Sequence, residues 1–362
     1  MTMELNNSKT AQELMKYTAG LDGLIGATAF EDDGTVIAIG KDTGDAVCAV
    51  AEGALDPEIA LHLDIYESRR DVFTVFHFEC SQLGGYEKSG KLPNLNLLPE
   101  TAIQCGKLVH DTFSSFLLSD RSIYVSKEYG IFVTGKSPRD VHIRYQNLLR
   151  CVRVGSRAER AGLAVHFLSE KHITVHNLKV TPPLVKFQRR PQDSVESEMR
   201  KYLAERVRRC CEKDLFSIVQ GTLSVRLSED SFLITPRDFD RASVKPHELV
   251  LVTGEQCESG KEPSRSALLH HAIYKEQPNV RSIMIALPEA MMVSACTASA
   301  VEGIERFPFG ASVMQPMLFS KEISLEKPII MIENDCAIVL GTSIDDAIEK
   351  LDRAEKAAAE QF

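Results

Sequence analysis

Along residues 222–227 and 231–235, apolar and polar positions alternate on either side of a Ser228-Glu229-Asp230 turn, and residues 249–253 give a third short run before a Gly-containing loop. Alternation with period two puts one face of a strand in a core, so these runs predict a β-meander. Ser264 then stands ahead of a stretch in which Leu268, Ala272 and Ile273 share one helical face, and Pro278 with Asn279 closes it. Ser264 is the expected N-cap, and the apolar run 283–287 that follows reads as a buried strand. The order is strand, strand, strand, helix, strand.

Half of this pattern occurs earlier in the chain. Leu61, His62, Ile65, Tyr66 and Val72 match Leu269, His270, Ile273, Tyr274 and Val280, all offset by 208 positions. Residues 130–141 match residues 336–347 at an offset of 206. In both places a strand reaches a glycine, Gly135 or Gly341, and then a serine, Ser137 or Ser343, followed three residues on by Asp140 or Asp346. That is the form of a helix N-cap with an acidic first turn, and Pro138 suits the first helical position. The chain therefore reads as two copies of one α/β unit, residues 1–162 and 194–362, joined by a linker over 163–193. Tyr66 and Tyr274, and Gly135 and Gly341, should hold equivalent places in sheets of one strand order. His62 and His270, at matched helical positions, are expected to pack in the core.

The remaining elements follow in order. Residues 9–20 predict a short amphipathic helix, and residues 26–40 a hairpin about Asp32-Asp33-Gly34. A strand over 73–78 leads to a loop with Gly84, Gly85, Gly90 and Pro93. A helix over 98–116, strands at 122–125 and 130–133, and a long basic helix over 137–161 complete the first copy. In the linker, Pro182-Pro183 and Arg189-Arg190-Pro191 are breakers, and His172 and His176 fall in an alternating run that reads as a strand. Helices over 196–213 and 343–359 bound the second copy.

Composition narrows the function. A net charge of -9 and a sequence pI near 5.7 disfavour nucleic-acid binding. No apolar run approaches a membrane span and the N-terminus has no signal-peptide core, so a cytoplasmic protein is expected. Nine cysteines without metal or disulfide spacing read as reduced thiols, adjacent Cys210 and Cys211 included.

The strings G-T-L-S-V-R-L, F-L-I-T-P, L-V-L-V, P-S-x-S-x-x-x-H-x-A-I-Y and N-x-x-x-I-V-x-G-x-S-x-x-x-A, in this order over residues 194–362, resemble the class II aldolase/adducin family. The resemblance is weaker over residues 20–160. It implies three-layer α/β/α units around a mostly antiparallel sheet, with active sites between neighbouring units. The family includes sugar-phosphate aldolases, an epimerase, a dehydratase and the non-enzymatic adducin head. Its enzymes hold a divalent metal on an H-x-H pair plus a third His, with a Glu at the start of the repeat helix as acid/base.

In the second copy the H-x-H positions fall on Ile285 and Leu287, the third His on Asp335 and the Glu on Ser266. No metal cofactor is expected there. In the first copy the corresponding residues are His77 and Glu79 as metal ligands, Tyr129 after Glu128 at the third position, and Glu58 as the catalytic acid/base. This set would take Zn²⁺ or Mn²⁺; the alternative is that these are surviving polar residues of a decayed pocket. The family's phosphate-binding turns read here as Gly221-Thr222-Leu223-Ser224, Thr235-Pro236-Arg237-Asp238 and Ser264-Arg265. Thr222, Ser224, Thr235, Arg237, Ser264 and Arg265 are thus the substrate-binding set for a phosphorylated small molecule, with guanidinium groups supplying bidentate contacts. The alternative is that both arginines are surface charges paired with Asp238 or Glu262. Two functions compete: a non-catalytic scaffold or binder of an anionic small molecule, and a divergent metal-dependent lyase or isomerase. Either is expected as a homo-oligomer built on a pseudo-dimer of the two copies.

Overall fold

The computed structural model describes residues 8–31, 33–40, 48–49, 57–84, 92–177, 184–188, 193–314 and 316–362. Asp32 of the first turn, Gly85, Gly90, and the breakers at 182–183 and 189–191 lie outside them. The chain divides into two compact units, Met1–Ser156 and Arg157–Phe362.

Unit 1 contains, in order, α1 (Lys9–Thr18), β1 (Leu24–Phe30), β2 (Val36–Gly40), β3 (Cys48–Ala49), α2 (Pro57–Ser68), β4 (Thr74–Phe78), α3 (Pro99–Cys105), α4 (Phe113–Leu117), β5 (Ile123–Ser126), β6 (Gly130–Gly135) and α5 (Pro138–Arg160). Its sheet runs β3-β2-β1-β4-β6-β5, antiparallel throughout. Alternation along β4 sorts the layers. Val75 and His77 face α2 and α4, where Ile65, Tyr66, Phe116 and Phe132 form a core. Phe76 and Phe78 face the other way, and Phe78 stacks on Tyr145 of α5 with ring centroids 3.6 Å apart.

Unit 2 contains α6 (Glu170–Asn177), β7 (Val185–Phe187), α7 (Ser194–Glu212), β8 (Thr222–Arg226), β9 (Ser231–Ile234), β10 (Val250–Thr253), β11 (Gln256–Glu258), α8 (Ala267–Glu276), β12 (Ser282–Ala286), α9 (Glu289–Cys296), β13 (Glu305–Phe307), α10 (Ala311–Met314), α11 (Pro316–Glu322), β14 (Ile329–Ile332), β15 (Cys336–Gly341) and α12 (Ile344–Gln361). The sheet runs β13-β14-β15-β12-β8-β9-β10-β11-β7. Among the described residues of this sheet, β11–β7 and β13–β14 pair in parallel and the other neighbours are antiparallel. Ile283, Ile338 and Leu340 pack with α8 and α11 on one face, while α12 and α7 cover the other. A buried ion cluster holds α7 in place: Arg200 is 1% exposed and bonds Glu196, Glu258 and the Leu249 carbonyl.

The stretch β10-β9-β8-β12-β15-β14 repeats the order β3-β2-β1-β4-β6-β5, with α8 standing where α2 does. Both units also close the same buried polar contact. In unit 1 the Thr28 hydroxyl lies 2.9 Å from His62 Nδ1 and 2.8 Å from the Tyr66 hydroxyl. In unit 2 the Ser224 hydroxyl lies 2.7 Å from His270 Nδ1 and 2.7 Å from the Tyr274 hydroxyl. The expected caps recur too: the Ser137 hydroxyl accepts from Asp140 N at 3.2 Å, and the Ser343 hydroxyl from Asp346 N at 3.1 Å. The architecture is mixed α/β with a mostly antiparallel sheet in each unit.

Three local expectations give way. The predicted helix over 98–116 is two short helices, because Gly106 takes φ 64° and Val109 pairs with Tyr124 as an isolated bridge. The run with His172 and His176 is the helix α6, started by Ser169, whose hydroxyl accepts from His172 N; both imidazoles lie against Phe309. Its β-branched residues alternate as in a strand, but one turn of spacing puts both histidines on the aromatic ring. Ser264 is not the N-cap of α8: Ser266 holds that position, and the Ser264 hydroxyl turns to Thr222 and Ser266. Among the described residues, no helix is long and apolar enough to cross a membrane.

Burial holds the His62 and His270 imidazoles down to about 3. Below the ordinary histidine value the unfolded chain takes up protons that the folded units refuse. The contribution is therefore complete above about pH 6.5 and drains away as pH falls toward the folded value. Acidification from roughly pH 7 to 5 should cost about 2 kcal/mol per histidine. Denaturant unfolding at the two pH values checks this, and His270→Asn should flatten the pH dependence of unit 2.

Candidate functional site

In unit 1 the residues singled out from the sequence meet in one open cleft of about 650 Å³, lined by Glu58, His77, Glu79, Glu128 and Tyr129, with Cys80, Ser81, Lys127 and Gly130 beside them. Three elements build it. The first turn of α2 carries Glu58, the end of β4 carries His77, and the turn between β5 and β6 carries Lys127, Glu128 and Tyr129. Sequence alternation put His77 and Glu79 on one strand, but β4 ends at Phe78 and Glu79 leads into the short turn Cys80–Leu83. Glu79 is exposed and accepts from the Ser81 hydroxyl at 3.3 Å, whereas His77 is 3% exposed.

His77 is held on all sides. Its ring stacks on Phe132 at 4.0 Å between centroids, lies edge-on to His62 at 5.7 Å, and its Nε2 donates to the Tyr129 carbonyl. Burial pushes its pKa below the ordinary value, partly offset by that carbonyl. Its Nδ1 is buried with no hydrogen-bond partner. Tyr129 donates its phenol to Glu128, which raises the phenol pKa.

This arrangement does not suit a metal ion. One imidazole nitrogen is spent on a carbonyl, the phenol is spent on Glu128, and among the described residues no group of three or more His, Cys, Asp or Glu side chains is placed to hold an ion. Unit 2 fits still less. Ile285 and Leu287 pack against the hydrophobic core, and Ser266 bonds Ser264. A cation there would lose hydration without gaining ligands.

The substrate-binding set of unit 2 separates into two groups. Thr222 and Ser264 come together through their hydroxyls at 2.9 Å. The loops carrying Thr235 and Arg237 pair with the loop before α8: Ser264 N donates to Thr235 O at 3.0 Å, Arg237 N to Glu262 O at 2.9 Å, and Pro236 bridges Pro263. Arg237 Nε is buried without a partner, Arg265 is exposed, and Asp238 takes φ 51°. Ser224, by contrast, is fully buried and spends its hydroxyl on His270 and Tyr274, and Thr235 is fully buried as well. Sequence reading did not single out Thr28, whose only signal is its place in a strand opposite the repeated His and Tyr. A second cleft, at the Thr74 end of β4, mixes Arg70 and Lys136 with Glu13 and Glu31 and holds none of the candidate catalytic, metal or substrate-binding residues.

Residues 201–362 match the class II aldolase and adducin N-terminal domain. No curated protein matches the chain. Among solved structures, the chain is similar to YgbL from Klebsiella pneumoniae, at 16% identity and a TM-score of 0.41, over 45% of this chain and 88% of that one. An aldolase II superfamily protein from Pseudomonas syringae is 16% identical with a TM-score of 0.42, over 47% of this chain and 77% of its own. L-fuculose 1-phosphate aldolase from Glaciozyma antarctica PI12 is 16% identical with a TM-score of 0.38, over 48% and 77%.

The cleft depends on the close approach of Gly130 to β4. A Cβ on Gly130, at φ 83°, would stand 2.2 Å from the Phe78 carbonyl oxygen and 3.4 Å from His77 Nε2. Gly130→Ala should destabilise unit 1 by more than about 2 kcal/mol. Gly106→Ala, at φ 64° with open space around it, should cost only about 1 kcal/mol. Denaturant unfolding of the two variants checks the contrast.

Proposed function

We propose that the chain is a tandem of two class II aldolase-like units, and that unit 2 is a non-catalytic binder of a phosphorylated small molecule. The tandem reading is supported by the shared strand order, the paired hydroxyl–imidazole–phenol contacts and the matched caps. The loss of catalysis rests on one observation. Where the resemblance puts an H-x-H pair, Ile285 and Leu287 pack against the apolar core. Restoring a metal there requires rebuilding that core.

Retention of an anion site is supported by the paired loops. The Thr222 and Ser264 hydroxyls, and an Arg237 guanidinium with one buried N–H still to satisfy, sit on adjoining segments ahead of α8. An oxyanion beside the hydroxyls would meet the guanidinium's positive charge, in a charge-assisted contact that weakens with salt. A second reading, a metal-dependent lyase or isomerase with Glu58 as acid/base, draws on the convergence of Glu58, His77 and Glu79 in one cleft. The His77–Tyr129 contact weighs against it.

Glucose 6-phosphate at about tenfold over its Kd should stabilise the protein by about 1.4 kcal/mol. Arg237→Ala should abolish that stabilisation and added salt should reduce it, both measured by thermal unfolding. Metal analysis after dialysis should find no stoichiometric Zn²⁺ or Mn²⁺. Metal retained by the wild type and lost in His77→Ala would instead establish the lyase reading.

A further inference from the structure

The cleft at the Thr74 end of β4 has a counterpart in unit 2 that a side chain of the protein already fills. Thr28 and Ser224 hold matching places, and two residues on, at the last position of β1 and of β8, unit 1 has Phe30 and unit 2 has Arg226. Around this position the two main chains make the same bonds. Arg69 N donates to Ile65 O and Gln277 N to Ile273 O, both at 2.8 Å. Val72 N reaches Arg69 O at 3.4 Å as Val280 N reaches Gln277 O at 3.1 Å. Phe30 N donates to Phe73 O at 3.0 Å, and Arg226 N to Arg281 O at 2.9 Å.

In unit 2 the Arg226 guanidinium closes the end of α8. Its Nε donates to the Val280 carbonyl at 3.0 Å, one Nη donates to the Tyr274 and Gln277 carbonyls, and its Cζ lies 4.7 Å from the Tyr274 ring centroid. The corresponding carbonyls of unit 1 belong to Tyr66, Arg69 and Val72. Phe30 stands against the Tyr66 ring at 4.6 Å but has no side-chain N–H to give, and among the described residues no N–H donates to the Tyr66 or Val72 carbonyl. All three residues line the cleft although their side chains are buried, with the Tyr66 phenol on Thr28 and the Arg69 guanidinium on Asp71 and the Arg121 carbonyl. What they present to the cleft is therefore main chain.

Unmet carbonyls at the C-terminal end of a helix carry partial negative charge and call for a cationic donor. The rest of the cleft, about 540 Å³, adds Phe73, 47% exposed beside Phe30, with Glu13 and Glu31 on one hand and Arg70 and Lys136 on the other. A simple cation would be repelled by Arg70 and Lys136, and a phosphate by the two carboxylates. A molecule with a guanidinium at one end and a carboxylate at the other meets each group with its opposite.

We propose, resting on the correspondence of the two units and not on the anion reading for unit 2, that this cleft of unit 1 binds free arginine. The ligand guanidinium donates to the Tyr66 and Val72 carbonyls as Arg226 does to their counterparts, and its plane rests on the exposed aromatic surface. Its carboxylate lies toward Arg70 and Lys136. A planar guanidinium can serve two carbonyls while lying on a ring, which a compact ammonium does less well.

The test uses the full-length protein, titrated calorimetrically with L-arginine, L-citrulline and agmatine. L-Arginine should bind. L-Citrulline, whose urea group is neutral, and agmatine, which has no carboxylate, should each bind at least about tenfold more weakly. Lys136→Ala, at an exposed position, should keep the wild-type melting temperature and weaken arginine binding toward that of agmatine, with agmatine itself bound no more weakly. Phe30→Arg, which gives unit 1 the side chain of unit 2, should fold and lose all three ligands, because its own guanidinium takes the carbonyls. Arginine that binds no better than citrulline, or arginine binding that survives in folded Phe30→Arg, overturns the proposal. A Phe30→Arg protein in which unit 1 unfolds shows instead that the two units do not correspond at this position, and the proposal falls with that correspondence.

Discussion

A hydroxyl on the middle strand, bonded at once to an imidazole and a phenol one helical turn apart, sets the geometry of each unit. The Thr28–His62–Tyr66 and Ser224–His270–Tyr274 contacts are fully buried, so each must be complete or cost the fold the desolvation of its polar atoms. Sliding the helix by one residue breaks both bonds at once. The contact therefore fixes helix against sheet to within a fraction of a turn. It also decides where the first turn of that helix arrives. Glu58 and Ser266 each lie four residues before the histidine, on the same helical face, and come out beside the end of the neighbouring strand.

Scaffold and chemistry are thereby uncoupled. The two units keep the polar contact, the strand order and the caps, yet differ at nearly every position where a reacting group would stand. Glu58 faces a cleft with carboxylates around it, whereas Ser266 closes a chain of hydroxyls. His77 occupies its strand position as a neutral ring between Phe132 and His62, while Ile285 fills the equivalent place with hydrocarbon.

Much of this was legible in the residues. Hairpins showed as alternation, long helices as periodicity with Ser–x–x–Asp starts, and the His and Tyr pairs as identities at one offset. What stayed hidden depended on partners distant in sequence. The helix nature of α6 rests on an aromatic ring more than a hundred residues away, at Phe309. Ser224 resembled a ligand-binding hydroxyl because its motif neighbours did, and only the sheet shows that it points inward to His270. Glu58, His77 and Glu79 come from different elements, and their meeting in one cleft was legible only through the family resemblance, since no local pattern records it.

One chain carrying two sheets with the same strand order faces a hazard during synthesis. A strand emerging from the ribosome can add to the wrong sheet when the two offer interchangeable edges, and neighbouring domains of like topology misassemble in this way. The divergence of the paired core positions opposes such exchange. A strand bearing Ile285 cannot replace one bearing His77 without leaving the Tyr129 carbonyl unmet, and the reverse swap would bury an imidazole among the aliphatic side chains around Ile285. The same differences between the paired core positions favour each half of the polypeptide pairing with its own strands.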